Sequence, residues 1–274
     1  MSFIKSTILA FSMFSALPVP RVEWNQKNMR FMMAAFPFVG LVVALLWGGW
    51  FLFVQFLAVW QKNLSPALTA LGFTLIPVLV TGGIHLDGFM DTSDALGSHA
   101  SREKKLEILK DSHSGAFAVL ACVIYFLCYY VLSYELSVFL FEGGSSHRFE
   151  NDFTSLMAFL PVLSIFVISR LLSALAVATF PIAKDSGLVH TFASSSDSLF
   201  TAVWCLAWLF IVSVFLIITC NYMGIAMVGV SLALFCFYYV MAIFNFGGIT
   251  GDTAGWFVQL CELLGLLTFV IAQI

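Results

Sequence analysis

Directly after an apolar run that ends near Thr81, Asp87, Asp91 and Asp94 recur at i, i+4 and i+7. On a helix this spacing sets three carboxylates on one face. Like charges so placed repel, and the penalty grows near a bilayer. The pattern therefore asks for a cation. Ligands that offer only oxygen suit Mg²⁺ or Mn²⁺. No cysteine pair or multi-histidine set competes for zinc, since His85 and His99 are isolated in the sequence. A divalent ion held by two or three aspartates is a common clamp on a diphosphate. The competing reading is a solvated, Asp-rich helix cap, which needs fewer aligned acids than are present.

Two other polar islands belong to the same chemistry. Residues 101–115 carry Arg102, Lys104, Lys105 and Lys110 on one side, with Leu106, Ile108 and Leu109 on the other. This is the pattern of a short amphipathic surface helix. Its basic residues either meet lipid headgroups, or Arg102 or Lys110 reaches a phosphate. Asp111 either caps the following helix or adds a metal ligand. The second island, 246–255, places four glycines, Thr250, Asp252 and Thr253 between two apolar runs. It reads either as an ordinary helix-joining turn or as a helix N-terminus whose exposed N–H groups bind phosphate. In the second case Asp252 would be tolerable only beside a bridging metal. Gly82, Gly83 and Gly88 would let backbone approach such a phosphate.

The elements that must position these residues are membrane helices. Of 274 residues, 61% are hydrophobic and only 10% charged. Soluble domains carry about 25% charged residues, so a soluble globular fold is set aside, as are disorder and a disulfide scaffold. Long continuous apolar runs argue against a β-barrel. The absence of a basic stripe argues against nucleic-acid binding. The six cysteines lie in or beside apolar runs, with no CxxC pair, and read as packing residues.

The expected fold is all-α, a polytopic helical integral membrane protein forming one transmembrane catalytic domain over 1–274. About seven spans are predicted, at 31–60, 64–82, 115–134, 154–180, 200–220, 223–246 and 254–273, with Asn221 to Gly224 as a turn. Residues 3–19 are apolar but short and closed by Pro18 and Pro20. They read as a retained interfacial or re-entrant segment rather than a signal peptide, lacking a clear cleavage site. With the N-terminus inside, the inner segments 1–30, 82–114, 181–198 and 247–253 hold Lys5, Arg21, Lys27, Arg30, Arg102, Lys104, Lys105, Lys110 and Lys184. The outer loops hold only Lys62 and Arg148, in accord with the positive-inside rule. Asp87, Asp91, Asp94, Asp111, Asp185 and Asp252 fall on the same inner face. Glu262 lies inside a span, where a carboxylate either serves function or hydrogen-bonds another helix.

At these residues the chain resembles a known family. Gly82 to Leu96 and Arg102 to Phe117 resemble the central motif of cobalamin synthases, the adenosylcobinamide-GDP ribazoletransferase family. Leu9 to Pro20 resembles the family's opening segment, and Gly247 to Gly255 its C-terminal block. The resemblance is spread in order over most of the chain. It implies a Mg²⁺-dependent transferase of the bacterial cytoplasmic membrane with a cytoplasmic catalytic face. Such an enzyme joins adenosylcobinamide-GDP to α-ribazole, or its 5′-phosphate, releasing GMP, and other enzymes of nucleotide-loop assembly are possible partners. It also implies metal ligation by Asp87, Asp91, Asp94 and Asp252, and functional roles for His85, Lys110 and Asp111. Asp94 is the candidate general base, with His85 and Lys110 as further catalytic candidates. Gly82, Gly83, Gly88, Arg102, Lys110 and Thr250 are the candidate substrate contacts. The chain departs from the family at His113, where many relatives have Arg, and after Asp252, where Thr253 to Val258 is more apolar. Two alternatives stay in view. A CDP-alcohol phosphotransferase also spaces aspartates on membrane helices, but Asp87-Gly88 lacks the following Ala-Arg, and Asp91 to Asp94 is one residue short. A secondary transporter would fit glycine-interrupted helices, but no inverted repeat is evident and the acids gather on one face. A reporter fused after residue 100 is expected to read cytoplasmic; a periplasmic signal would invert this topology.

Overall fold

The computed structural model describes residues 2–60, 62, 64–141, 152–183 and 187–273. Arg148, Lys184 and Asp185 lie outside them. The described residues form eleven helices. In order these are α1 (Ser2–Phe14), α2 (Gln26–Met29), α3 (Met32–Val59), α4 (Pro66–Thr81), α5 (Ile84–Gly97) and α6 (Arg102–Ile108). They continue with α7 (Ala116–Phe141), α8 (Asp152–Thr179), α9 (Leu188–Ser195), α10 (Ser198–Phe246) and α11 (Gly251–Ile271). The all-α membrane class expected from composition holds. Large apolar side chains such as Leu45, Phe56, Leu79, Leu127, Phe210 and Phe244 face outward, as a bilayer requires.

Five helices are long and apolar enough to cross a membrane, or six if α4 and α5 count as one bent span. The sequence reading of about seven differs for two local reasons. First, α10 runs through 49 residues. Straight, it would be about 73 Å long, far beyond the bilayer's hydrocarbon core of about 30 Å. It is not straight, because Asn221 takes φ 49° and ψ −124° inside it. A Cβ on Gly224 would overlap the backbone carbonyl of Leu216. In a continuous helix residues eight apart are about 12 Å apart, so the chain folds back on itself at Asn221, where the sequence places a turn. Second, α4 is only 16 residues and stops at Gly82 and Gly83, both left-handed at φ 66° and 78°. That conformation suits glycine, and it turns α5 by 94° from α4.

The bundle is built around α8, whose apolar stretch is 78% buried, against 22% for that of α7. Helices α3, α10 and α11 pack on it. A Cβ on Gly40 of α3 would overlap the carbonyl of Phe166, so α3 and α8 meet backbone to backbone. Trp47, Phe51, Phe73 and Phe159 fill the core beside this contact. The N-terminal α1 is too short to span. It packs on α3 and buries Ser6, Leu9 and Ala10, with Ser6 Oγ donating to the Asn28 carbonyl at 2.6 Å.

All four segments expected on the inner face meet at one end of the bundle. Arg30 pairs with Asp197 at 2.8 Å. Lys105 Nζ donates to Asn245 Oδ1 at 2.7 Å. The Arg102 guanidinium lies against Gly247. The loops after α8 and before α11 form a short parallel bridge, with Ile249 N donating to Pro181 O at 2.8 Å and Ala183 N to Ile249 O at 3.0 Å. The Gly40 contact is testable. Gly40→Val should cost about 1–3 kcal/mol by overpacking, read as a lower unfolding midpoint in detergent; an unchanged midpoint would argue against the backbone contact.

Candidate functional site

Helix α5 crosses the end of the bundle from the start of α11 to the start of α7. At its first turn it is pressed against α11. A Cβ on Gly88 would lie 2.8 Å from the Asp252 carbonyl oxygen, and one on Gly255 would lie 2.9 Å from the His85 carbonyl. At its far end the Asp94 carboxylate lies over Gly115, and its Oδ1 accepts from Ala118 N at 3.2 Å. Asp94 thus caps α7 from another helix, occupying donors that a helix N-terminus leaves unpaired.

This placement gathers the acids. Asp87 is exposed and Asp91 half-buried on α5, and Asp252 sits in the first turn of α11. The Asp91 carboxyl is pushed up to about 6, first by burial and then by the charges of Asp87, Asp252 and Asp94. All four aspartates expected as ligands therefore share one electrostatic neighbourhood. Among the described residues, no three His, Cys, Asp or Glu side chains already converge as a metal cage. A Mg²⁺ site needs no such cage, since this ion is usually held by one or two carboxylates, water and substrate phosphates. The donors at hand are carboxylates only, and their mutual repulsion raises the proton affinity of Asp91. Both features fit a hard divalent cation.

Two cavities flank Asp252 and share Val189 and Gly251 in their walls. One, of ≈ 220 Å³, is lined by Lys110, His190 and Thr250. The other, of ≈ 250 Å³, is lined by Asp87, His85, Phe14 and Phe36. His85 is 5% exposed, and its Nε2 has no hydrogen-bond partner among the described residues. Burial, then the charge of Arg170, holds its imidazole well below the ordinary pKa, so it is neutral at pH 7.

The candidates read from the sequence are thus partly brought together. Asp87, Asp252, His85, Lys110 and Thr250 line the two cavities, and Asp91 is coupled by charge to Asp87 and Asp252 without lining either. Thr250 also caps α11, its hydroxyl accepting from Thr253 N at 3.2 Å. Gly83 is open, with nothing within 4 Å of an added Cβ, whereas Gly82 faces Ala16 at 3.4 Å. Gly88 is a correction. It is buried under the Asp252 backbone, so its missing side chain serves helix contact and leaves no room for a phosphate there. Arg102 lies against the end of α10 at Gly247 rather than in either cavity. Asp111 does not cap α7. Its Oδ1 meets His113 Nδ1 at 2.7 Å and accepts from His113 N at 3.0 Å in an exposed turn.

The sequence reading leaves Arg170 without a partner and assigns nothing to His190. Arg170, on α8, is fully buried and ion-paired with Glu262 on α11. Arg170 Nε and Nη2 and Glu262 Oε2 have no further partner among the described residues. One basic and one acidic residue inside two different spans is the signal from which this pair is legible, because each is costly alone in a bilayer.

The model of a family described as cobalamin-5-phosphate synthase matches residues 6–270. An adenosylcobinamide-GDP ribazoletransferase of Lachnoclostridium phytofermentans is 38% identical, over 100% of this chain and 96% of the relative. Proteins of the same name from Clostridium botulinum (strain Eklund 17B) and Fusobacterium nucleatum are 31% and 28% identical, each covering at least 97% of both chains. No solved structure matches the chain.

The buried pair gives a direct test. Arg170→Met or Glu262→Met alone should each lower stability by about 3–5 kcal/mol, because the remaining charge is stranded without its partner. The double variant Arg170→Met/Glu262→Met should recover most of that loss in denaturant titrations in detergent. Additive losses would show that the two side chains do not interact.

Proposed function

The chain belongs to the cobalamin-5-phosphate synthase family, and from that premise we propose that its acidic end performs the adenosylcobinamide-GDP ribazoletransferase reaction. The observation that carries the assignment is the acidic cluster, in which Asp91 is half-buried among Asp87, Asp94 and Asp252, and Asp252 is flanked by two cavities. A ribose hydroxyl oxygen of α-ribazole, or of its 5′-phosphate, attacks the phosphorus that bears the cobinamide arm. A new P–O bond forms, the phosphoanhydride bond breaks, and GMP leaves with the bridging oxygen. The hydroxyl proton passes to a carboxylate. Asp94 was the expected base, but its carboxylate is engaged at the start of α7. Asp91, with Asp252 across from it, is the better placed acceptor.

Lys110 and Thr250 line the cavity beside Asp252 and are suited to hold the departing phosphate. Asp87, Asp91 and Asp252 would hold Mg²⁺, which when bound offsets the charge of the diphosphate. The active end faces the cytoplasm at the bacterial inner membrane, in keeping with the basic residues gathered there. Residues 1–274 act as one catalytic domain, and other nucleotide-loop enzymes are candidate neighbours.

The test is GMP release by the purified chain in lipid, supplied with adenosylcobinamide-GDP and α-ribazole 5′-phosphate. GMP and a corrinoid product should appear with Mg²⁺ and not with EDTA. Asp91→Asn should lower turnover about 100-fold or more, the scale of losing one electrostatic group at a reacting centre, with membrane insertion unchanged. Full activity of that variant would remove the acidic face from the mechanism. No turnover, with a known synthase active in parallel, would overturn the assignment.

A further inference from the structure

The two cavities beside Asp252 have different chemistry. The one at Lys110 offers a cation and the N-terminal end of α11, as an anion requires. The other is walled by Phe14, Phe36, Phe192 and Met33, with His85 set among the rings. The Phe14 ring lies 4.4 Å from that of Phe36 and 5.9 Å from that of Phe192. His85 stacks near Phe14 at 6.1 Å and meets Phe36 at 5.6 Å. A buried polar nitrogen without a hydrogen bond is costly, so His85 Nε2 calls for a partner from outside the protein's own groups.

The partner must be flat, apolar on its faces and equipped with one hydrogen-bonding atom. A lipid chain would leave Nε2 unpaired. Guanine carries several donors and acceptors along its edges, and the carboxylates in this cavity that could meet them, Asp87 and Asp252, are those assigned to Mg²⁺. A corrin ring is far too large for ≈ 250 Å³. A fused aromatic base with a single free ring nitrogen fits on all three counts.

We propose that this second cavity receives the benzimidazole base of the α-ribazole acceptor, seated against the cluster of phenylalanine rings with His85 Nε2–H donating to its ring nitrogen. This rests on the transferase reading above. Asp252 is shared by both cavities, so the ribose of a base seated there emerges at the acidic face, opposite the diphosphate held on the Lys110 side. His85 is then a binding residue for the acceptor, rather than a proton carrier in the chemical step.

The test uses the full chain in nanodiscs. Binding of α-ribazole is measured by equilibrium dialysis in EDTA, and KM is measured for each substrate with Mg²⁺. His85→Phe keeps a ring but deletes Nε2, and Phe36→Leu thins the wall without touching His85. Either variant should weaken α-ribazole binding, and raise its KM, by about tenfold, the scale of one lost hydrogen bond or aromatic contact. The KM for adenosylcobinamide-GDP should stay within about twofold on that scale. If the wild type turns over while both variants bind α-ribazole as tightly as it does, or if the corrinoid KM rises instead, the pocket assignment falls and the transferase reading stands. If the wild type binds α-ribazole but never turns over, the pocket stands and the transferase reading falls. If it does neither, both fall.

Discussion

The acidic end depends on one steric constraint, the near contact of α5 and α11 at Gly88 and Gly255. Each glycine faces the other helix's backbone at a distance no ordinary Cβ tolerates. Close approach of this kind is how small residues pack membrane helices when no hydrophobic force distinguishes protein from lipid. Here it also sets charge. It brings Asp252 beside the carboxylates of α5, and the resulting repulsion adds to burial, the larger cause, in lifting the Asp91 pKa. A side chain at either glycine would separate the helices and dissolve the acidic cluster, even though neither glycine need touch a substrate.

Such a cluster is unfavourable by itself, and the surrounding structure is arranged to bear it. Asp94 is spent on the unpaired N–H groups at the start of α7. The bridge at Ile182 and Ile249 pins the loop that leads into α11. Deeper in the bundle, Arg170 and Glu262 tie α8 to α11 through a fully buried ion pair. In hydrocarbon neither charge has an alternative partner in water, so the pair fixes the rotation of α11 about its axis. That rotation decides which way Asp252 faces.

Much of this was legible in the sequence, and what was not has a physical pattern. The spacing of Asp87, Asp91 and Asp94 does form a helix, the turn does fall at Asn221, and the inner segments do meet at one end. Periodicity finds such features because they are local. The surroundings of Gly88 and Asp94 were not legible because both are decided by partners distant in the chain, Asp252 and Ala118. From sequence, a glycine beside aspartates looks like room for phosphate; only the packing of α11 shows that the room is filled. The pairing of Arg170 with Glu262 is likewise long-range, though two opposite charges in separate spans are a usable clue. The aromatic surroundings of His85 could not be read at all, since Phe14, Phe36 and Phe192 come from three different elements among 30 phenylalanines.

The break at Asn221 bears on how the protein reaches its membrane. Residues 198–251 contain no Asp, Glu, Lys or Arg. The tip of the folded-back α10 therefore has no charged group to carry through hydrocarbon, and nothing on it resists translocation. Both halves can enter the bilayer together as a preformed hairpin, independent of the spans already inserted. Because α11 follows this hairpin in the chain, Asp252 and Glu262 are synthesised after the helices they pack against. The acidic centre is assembled last, when α8 already presents Arg170 to receive it.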